Sequence, residues 1–520
     1  MPLGALPALS AATLALAASA PPLSPAPPAA PAPVVSRAPA HTVTAAIDRA
    51  EALGAISAGR AERYRLQWHD AVRAARRIGG PRGLVVRQSV TSTQRLAAGG
   101  ALRAGRLAAA IAGVHASAVV ARSGRPLPTP GGRLKVAGDS IVYSYRPPYG
   151  MQVHPLGTIG KLNALATTCT EQGRRRGWHC RRASVTAAAD RLIEVSVAAG
   201  PTLRFEYLFG FGGGRPGWVS AMTQATGAQA LARAAAISGE RRYAASARAA
   251  YRALTRPVPR GAAVVGRDGR IAHFAMYSFR PRMRVLNGEE QALIGVADFA
   301  RITRDRVAAR IARRGARELA TKLPAFDTGA WTLYDLGGAE ADLNYHRLAA
   351  RFAKGVCARA LAHGFCPAAA RFARYTVEPP RLALLAPTRI RAPRRVTIAL
   401  GASKRSDAHL VVRDLRGRVV ADRRLVLDRS IVRLVVPVRR AGTYSVAIDA
   451  TAVNGRGARH AVSLVATPPP PKPKPKPKPK HMPAKHHGAA GTRASKPAKK
   501  RQRAASAGDQ GSAKRTKPGS

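Results

Sequence analysis

Apolar residues change their spacing twice along this chain, and the changes divide it. Ile47, Leu53 and Ile56, then Tyr64, Leu66, Trp68 and Val72, recur at helical intervals and break at Gly79-Gly80-Pro81. Leu96 to Val119 predicts one or two further helices. From Tyr143 to Tyr375 helices alternate with loops, over 156–166, 183–197, 218–238, 240–254, 287–302, 307–323 and 345–362. Such a series of antiparallel helix pairs, with little strand signal, predicts an α/α toroid whose inner helices converge so that their loops form a cleft at one end. From Arg381 the runs become short and β-branched: Val396 to Leu400, Leu410 to Val412, Val419-Val420, Leu425 to Leu427, Ile431 to Val438 and Tyr444 to Ile448. Separated by turns such as Leu415-Arg416-Gly417, they predict a small immunoglobulin-like β-sandwich.

The fold class is therefore multidomain and mainly α. The expected divisions are a leader and spacer over 1–40, a helical region over 41–130, the toroid over 131–378, the sandwich over 379–467 and a basic tail over 468–520. Leu3 to Ala20 is apolar and ends in Ala18-Ser19-Ala20, the pattern of a secretory signal. A positive n-region is missing and Pro21 disfavours cleavage, so a disordered Ala/Pro leader is the other reading. Pro21 to Pro39 reads as an extended spacer. Pro468 to Lys480 reads as a charged polyproline II rod, and the rest as a disordered basic segment. No apolar run other than the leader reads as a bilayer span. The expected location is secreted or at the cell envelope.

Charge and cysteines refine this picture. The formal charge of +59 predicts attraction to polyanions, and the tail's expected partner is an anionic envelope polymer. No motif that reads bases is present, so no specific nucleic-acid partner is expected. The cysteines form two local pairs, Cys169 with Cys180 and Cys357 with Cys366, predicted to be disulfides in an exported protein; four unrelated thiols are the alternative. Neither pair has the Cys-x-x-Cys spacing of a zinc site. No metal or cofactor is expected.

Aromatic residues are only 5% of the chain, which makes the stretch from Tyr277 to His346 conspicuous. A tyrosine precedes Val285-Leu286-Asn287-Gly288, where Asn287 and Glu290 predict a capping box at a helix start. Phe326-Asp327-Thr328-Gly329 leads into Tyr334-Asp335-Leu336, and Tyr345-His346 opens another helix, for which Asn344 is the predicted cap. Upstream lie Phe205-Glu206-Tyr207 and Gly217-Trp218-Val219-Ser220-Ala221-Met222-Thr223-Gln224, with a fainter pattern from Tyr149 to Leu162. In this order the motifs resemble the C-terminal catalytic domain of the D-glucuronyl C5-epimerases, over roughly 145 to 355. The resemblance implies an incomplete α/α toroid, an acidic polysaccharide substrate and inversion of a uronic acid at C5. It implies acid–base roles for Tyr277, Tyr334 and Tyr345. Two positions depart from the family pattern: Met276 stands where Glu is usual, and Gly337 where Arg can follow the Tyr-Asp-Leu segment. The β-rich material that animal members carry before the domain is not visible.

C5 epimerisation removes a weakly acidic proton α to a carboxylate and returns it from the opposite face. It needs an acid–base group on each face and cations for the carboxylate. Tyrosine serves as base if nearby cations or a helix N-terminus lower its pKa. Arg280, Arg282 and Arg284 follow Tyr277, and Arg347 follows Tyr345. Asn287, Gln224 and His346 join the substrate-binding set, His346 as a support at a helix start. Glu206 and Asp335 are expected to orient loops or sugar hydroxyls, and Trp218 and Trp331 to pack in the core or stack on sugars. A glycosidase would need two flanking carboxylates, and no convincing pair is visible. An epimerase leads; a non-catalytic envelope glycan-binding protein and a uronate lyase are the alternatives.

Overall fold

The structure, a computed structural model, describes residues 41–471. The leader, the spacer and all but the start of the tail lie outside the described residues. Four helices come first: α1 (Val43–Ala52), α2 (Ala58–Arg77), α3 (Gly80–Ala98) and α4 (Ala104–Arg122). Thr42 caps α1 by accepting the Ala45 N–H at 3.1 Å. Gly79 and Pro81 separate α2 from α3, as their sequence predicts. α4 is apolar on nearly every side, with Leu107, Ile111 and Val114 wholly buried. By length and composition it is apolar enough to cross a membrane, which corrects the expectation of no such run, and 72% of that window is buried inside the protein. Gly113 is obligatory there, since a Cβ would sit 2.7 Å from the Met151 carbonyl oxygen of the adjoining strand. This core continues through the sheet formed by Arg133–Lys135, Val142–Tyr145 and Met151–Val153, and takes in Leu208.

Nine further helices complete the thirteen of the described residues: α5 (Pro155–Thr168), α6 (Glu171–Arg175), α7 (Arg182–Glu194), α8 (Ala221–Ser238), α9 (Arg241–Thr255), α10 (Leu286–Thr303), α11 (Arg306–Phe326), α12 (Leu343–Ala358) and α13 (Phe365–Tyr375). α8 and α10 are the central pair. A Cβ on Gly295 would meet Ala225 backbone at 2.7 Å, so these two helices nearly touch. α9 and α11 are amphipathic and lay one face on that core. Both disulfides form as paired in the sequence: Cys169–Cys180 closes the loop holding α6, and Cys357–Cys366 ties α12 to α13.

Two expected caps are overturned. α10 begins at Leu286 with Val285 before it, and Asn287 and Glu290 are buried inside the helix without capping. Val285 pairs as a bridge with Asp335, and the Leu286 N–H donates to the Tyr334 carbonyl at 3.2 Å. A backbone partner therefore satisfies the donor that a side chain would have served. At α12 the cap is Asp342, not Asn344, and it accepts the Tyr345 N–H at 2.8 Å.

The C-terminal region is β. A three-stranded sheet (Leu382–Leu385, Arg394–Ala402, Val432–Val438) and a five-stranded one share one core. The larger sheet contains Arg389–Arg391, Ser406–Asp414, Val419–Leu427, Gly442–Ala452 and Gly457–Thr467. The last of these strands carries no strand prediction from sequence. This β region braces the helices. Lys404, almost wholly buried, donates its Nζ protons to the Tyr375 and Glu378 carbonyls at 2.9 Å, at the end of α13. Asn454 donates to the Glu378 carbonyl at 2.8 Å, and Arg429 pairs with Glu340 at 3.1 Å.

Candidate functional site

The Val285–Asp335 bridge brings two distant segments together and with them two tyrosines. The Tyr277 and Tyr334 hydroxyls lie 2.7 Å apart, a direct hydrogen bond. Tyr345, in the first turn of α12, meets the Tyr334 ring edge-on with centroids 4.8 Å apart. Tyr277 is 9% exposed and Tyr345 39%, so the row runs from the interior to the rim.

An aromatic basin backs the row. The Trp218 indole stacks flat on Tyr207 at 4.0 Å and donates its N–H to the Phe209 carbonyl at 2.9 Å. The ring centroids of Phe211 and Phe279 both lie 5.6 Å from that of Tyr277. The Tyr207 hydroxyl is engaged by Thr223 at 2.7 Å, and burial pushes its pKa up to about 12. Gly217, at φ +98°, forms the turn beneath this basin, where a Cβ would strike the Arg106 guanidinium at 2.5 Å.

Burial raises the Tyr277 pKa, while the hydrogen bond from Tyr334 and the charge of Arg280 work against that rise. Burial also drives Tyr334 upward, and the neighbouring tyrosines add to it. The sequence-based expectation of a lowered Tyr277 pKa is thus reversed, because desolvation outweighs cations that stay at the rim. Within the pair, Tyr277 is the oxygen that its neighbour helps to ionise.

The arginines part company. Arg284 is spent on structure: it makes four hydrogen bonds of 2.6 to 2.8 Å to the Glu289 and Glu318 carboxylates. Arg280 is exposed beside the Gly212-Gly213 turn, and Arg282 and Arg347 are exposed as well. Glu206 is buried between Arg106 at 2.7 Å and Arg204 at 2.9 Å. Gln224 is a buried strut, accepting the Phe205 N–H and donating to the Leu203 and Ala250 carbonyls. Asp335 accepts the Gly337 N–H at 3.2 Å and so shapes the loop after Tyr334. His346 is wholly buried, stacked on Trp331 at 3.6 Å and held between Thr332 and the Phe372 carbonyl. Burial lowers its pKa to about 4, so it is neutral and structural. Trp331 is likewise core, its indole donating to the Ala341 carbonyl at 2.7 Å. Met276 packs against Gly288, filling the space before Tyr277 with a thioether.

One residue escaped the sequence reading. Arg146 stacks over Phe209 at 4.9 Å, and its Nε is buried without a hydrogen-bond partner among the described residues. Burial lowers its pKa, and the hydroxyls of Tyr207 and Tyr345 are near enough to act on its charge. It lies just before Tyr149, where the fainter pattern begins. Among the described residues no cluster of His, Cys, Asp or Glu is arranged to hold a metal.

Residues 200–359 match the family model described as the D-glucuronyl C5-epimerase C-terminus. This segment resembles that family. The match contains all three tyrosines of the row and begins after the turn that carries Arg146. An uncharacterized protein of Methanocaldococcus jannaschii is 29% identical over 135 residues, covering 25% of this chain and 44% of that protein. The chain thus spans less than half the length of this relative.

Proposed function

We propose that this protein is a polysaccharide uronate C5-epimerase, with Tyr277 and Tyr345 acting on opposite faces of one sugar ring. The observation that carries the proposal is the tyrosine row: one hydroxyl pair at 2.7 Å and a third ring 4.8 Å beyond, inside the matched segment. In this reading Tyr277, as phenolate, takes the C5 proton, and the electron pair moves into the carboxylate as an enediolate. Tyr345 then gives its own proton to C5 from the other face. Tyr334 donates a hydrogen bond to the Tyr277 oxygen and stabilises its anion. Arg146, with an unengaged buried donor, and Arg280 at the rim meet the developing charge. Arg146 thereby supplies the cation that Gly337 cannot. After one turnover Tyr277 holds the C5 proton and Tyr345 is a phenolate; Tyr277 then gives a proton to solvent and Tyr345 takes one, so protons balance and no oxidant is needed. On this reading the helix pairs form an incomplete α/α toroid, the β region is an immunoglobulin-like sandwich, and the chain works at the cell envelope on an acidic polysaccharide, with its tail adhering to anionic polymer.

A second reading, a glycan-binding protein that has lost catalysis, is favoured by Met276 at the usual Glu position and by the raised pKa of Tyr277 and Tyr334. Screening uronate polymers for uptake of solvent deuterium at C5 separates the two. Uptake from one polymer supports the epimerase; saturable binding with no uptake from any polymer replaces it with the second reading.

A further inference from the structure

α10 has 18 residues, so its C-terminal end lies about 26 Å from the N-terminal end, where Leu286 meets Tyr334. At that far end α8, α10, α11 and α12 surround a cavity of about 820 Å³ whose walls are dominated by arginine. Two arginines form a rigid floor. Arg359 gives the buried Asp298 carboxylate two hydrogen bonds of 2.8 Å, and Arg233 reaches it at 3.2 Å. Their remaining contacts fix them further: Arg359 donates to the Gly355 carbonyl at 2.9 Å, and Arg233 to Asn163 at 3.1 Å.

Four more arginines make the rim. Arg301 and Arg304 close α10, and Arg306 and Arg313 stand on α11; all are exposed and have no acidic partner among the described residues. Arg304 ends α10 at φ +57°, a place where glycine is usual. Six arginines and two aspartates line the cavity, an excess of four positive charges. Burial, and then the charges of Arg359 and Arg301, hold the Arg233 pKa below its ordinary value against the pull of Asp298. Four rim guanidiniums without an acidic partner among the described residues leave positive charge that a bound anion would neutralise. Guanidinium forks from several directions match the oxygens of phosphate groups, and a concave wall concentrates their field. The volume exceeds what two phosphates fill, and Ala297, Ala309 and Leu361 offer apolar wall to a group attached to them.

We propose that this cavity binds a diphosphate group, free or as the ester of a small molecule such as a nucleoside diphosphate. The site is independent of the epimerase reading and shares no residue with the tyrosine row. The test is calorimetric titration of the full chain with pyrophosphate at about 0.15 M salt, where diffuse attraction is screened within ~8 Å. R301Q/R313Q removes two rim charges without touching the Asp298 clamp. R416Q/R418Q removes two charges from a turn of the β region and serves as the control for net charge. The cavity variant should bind pyrophosphate at least ~10-fold more weakly, the scale of a lost charged hydrogen bond, with the control unchanged. Pyrophosphate should also raise the Tm of the wild type and control more than that of the cavity variant, whose own cooperative unfolding transition checks that it is folded. Equal weakening in both variants, or no saturable binding by the wild type, overturns the proposal. Uridine diphosphate binding at least ~10-fold tighter than pyrophosphate identifies the ester as the occupant, and equal affinity identifies the free anion.

Discussion

The two ends of α10 are made of opposite materials. At its N-terminal end the scarce acidic residues are spent on fixing arginines: Glu289 and Glu318 hold Arg284, and Glu206 holds Arg106 and Arg204. What remains in the basin is aromatic, with two hydroxyls bonded to each other. At the C-terminal end Asp298 fixes two arginines, and four others at the rim have no acidic partner among the described residues. The net charge of the chain therefore says little about where its chemistry lies. The tyrosine end is the one from which charge has been paired away, leaving hydroxyls in a low-dielectric setting where a few placed cations count most.

Replacing tyrosines breaks the comparison most sharply. Tyr277→Phe and Tyr345→Phe keep the ring and its packing while removing the ionisable oxygen, so each should lower C5 exchange by about 10²–10⁴. Neither should change pyrophosphate affinity at the far end. A variant with full exchange removes that residue from acid–base chemistry.

Arg284→Ala should act on stability instead. It leaves Glu289, 3% exposed, without its partner, and unpairing a buried charge costs about 3–5 kcal/mol. Urea unfolding checks this; a loss under ~1 kcal/mol would mean that Arg284 is not spent on structure.

Arg146→Ala is expected to lower kcat/KM by about 10–100-fold, the range of one charged hydrogen bond, with Tm little changed. Arg416→Ala, at an exposed turn of the β region, is the comparison and should change neither. Equal effects of the two would return Arg146 to the general field.

The smallest effect concerns Glu290, wholly buried with neither carboxyl oxygen bonded among the described residues. Burial, and then the Glu289 charge, raise its pKa well above the ordinary value. A carboxyl whose folded pKa is raised favours folding below its unfolded pKa, near 4.3, and loses that advantage as pH rises toward the folded value. Glu290→Leu should therefore gain about 1–3 kcal/mol at pH 7 and less at pH 4. A gain independent of pH would show that proton uptake is not involved.

Much of this arrangement was legible in the sequence, because helix periodicity, local cysteine pairs and motif order are local signals. The helix starting near Asn287 and the three tyrosines were placed that way. The cap of α10 was misread because a donor at its start is met by Tyr334, about fifty positions on, which no local pattern records. The pKa of Tyr277 was misread for a related reason: adjacency to three arginines in sequence does not show that one is clamped by glutamates and two stay exposed at the rim, where they do not offset burial. Arg146 needed the fold to bring its turn against Phe209. Lys404 reads as a surface residue until α13 ends on it.

The central claim is that two tyrosines act from opposite faces, one buried and one open to water. Its most direct test is the epimerisation of a C5-protiated uronate polymer in deuterated solvent, stopped at low conversion, with hydrogen at C5 read by NMR separately in inverted and unconverted units. Tyr345 exchanges its proton with solvent, so the inverted units should carry deuterium while the unconverted units remain largely protiated. Inverted units that keep their original hydrogen, or an unsaturated sugar in place of inversion, would contradict the account.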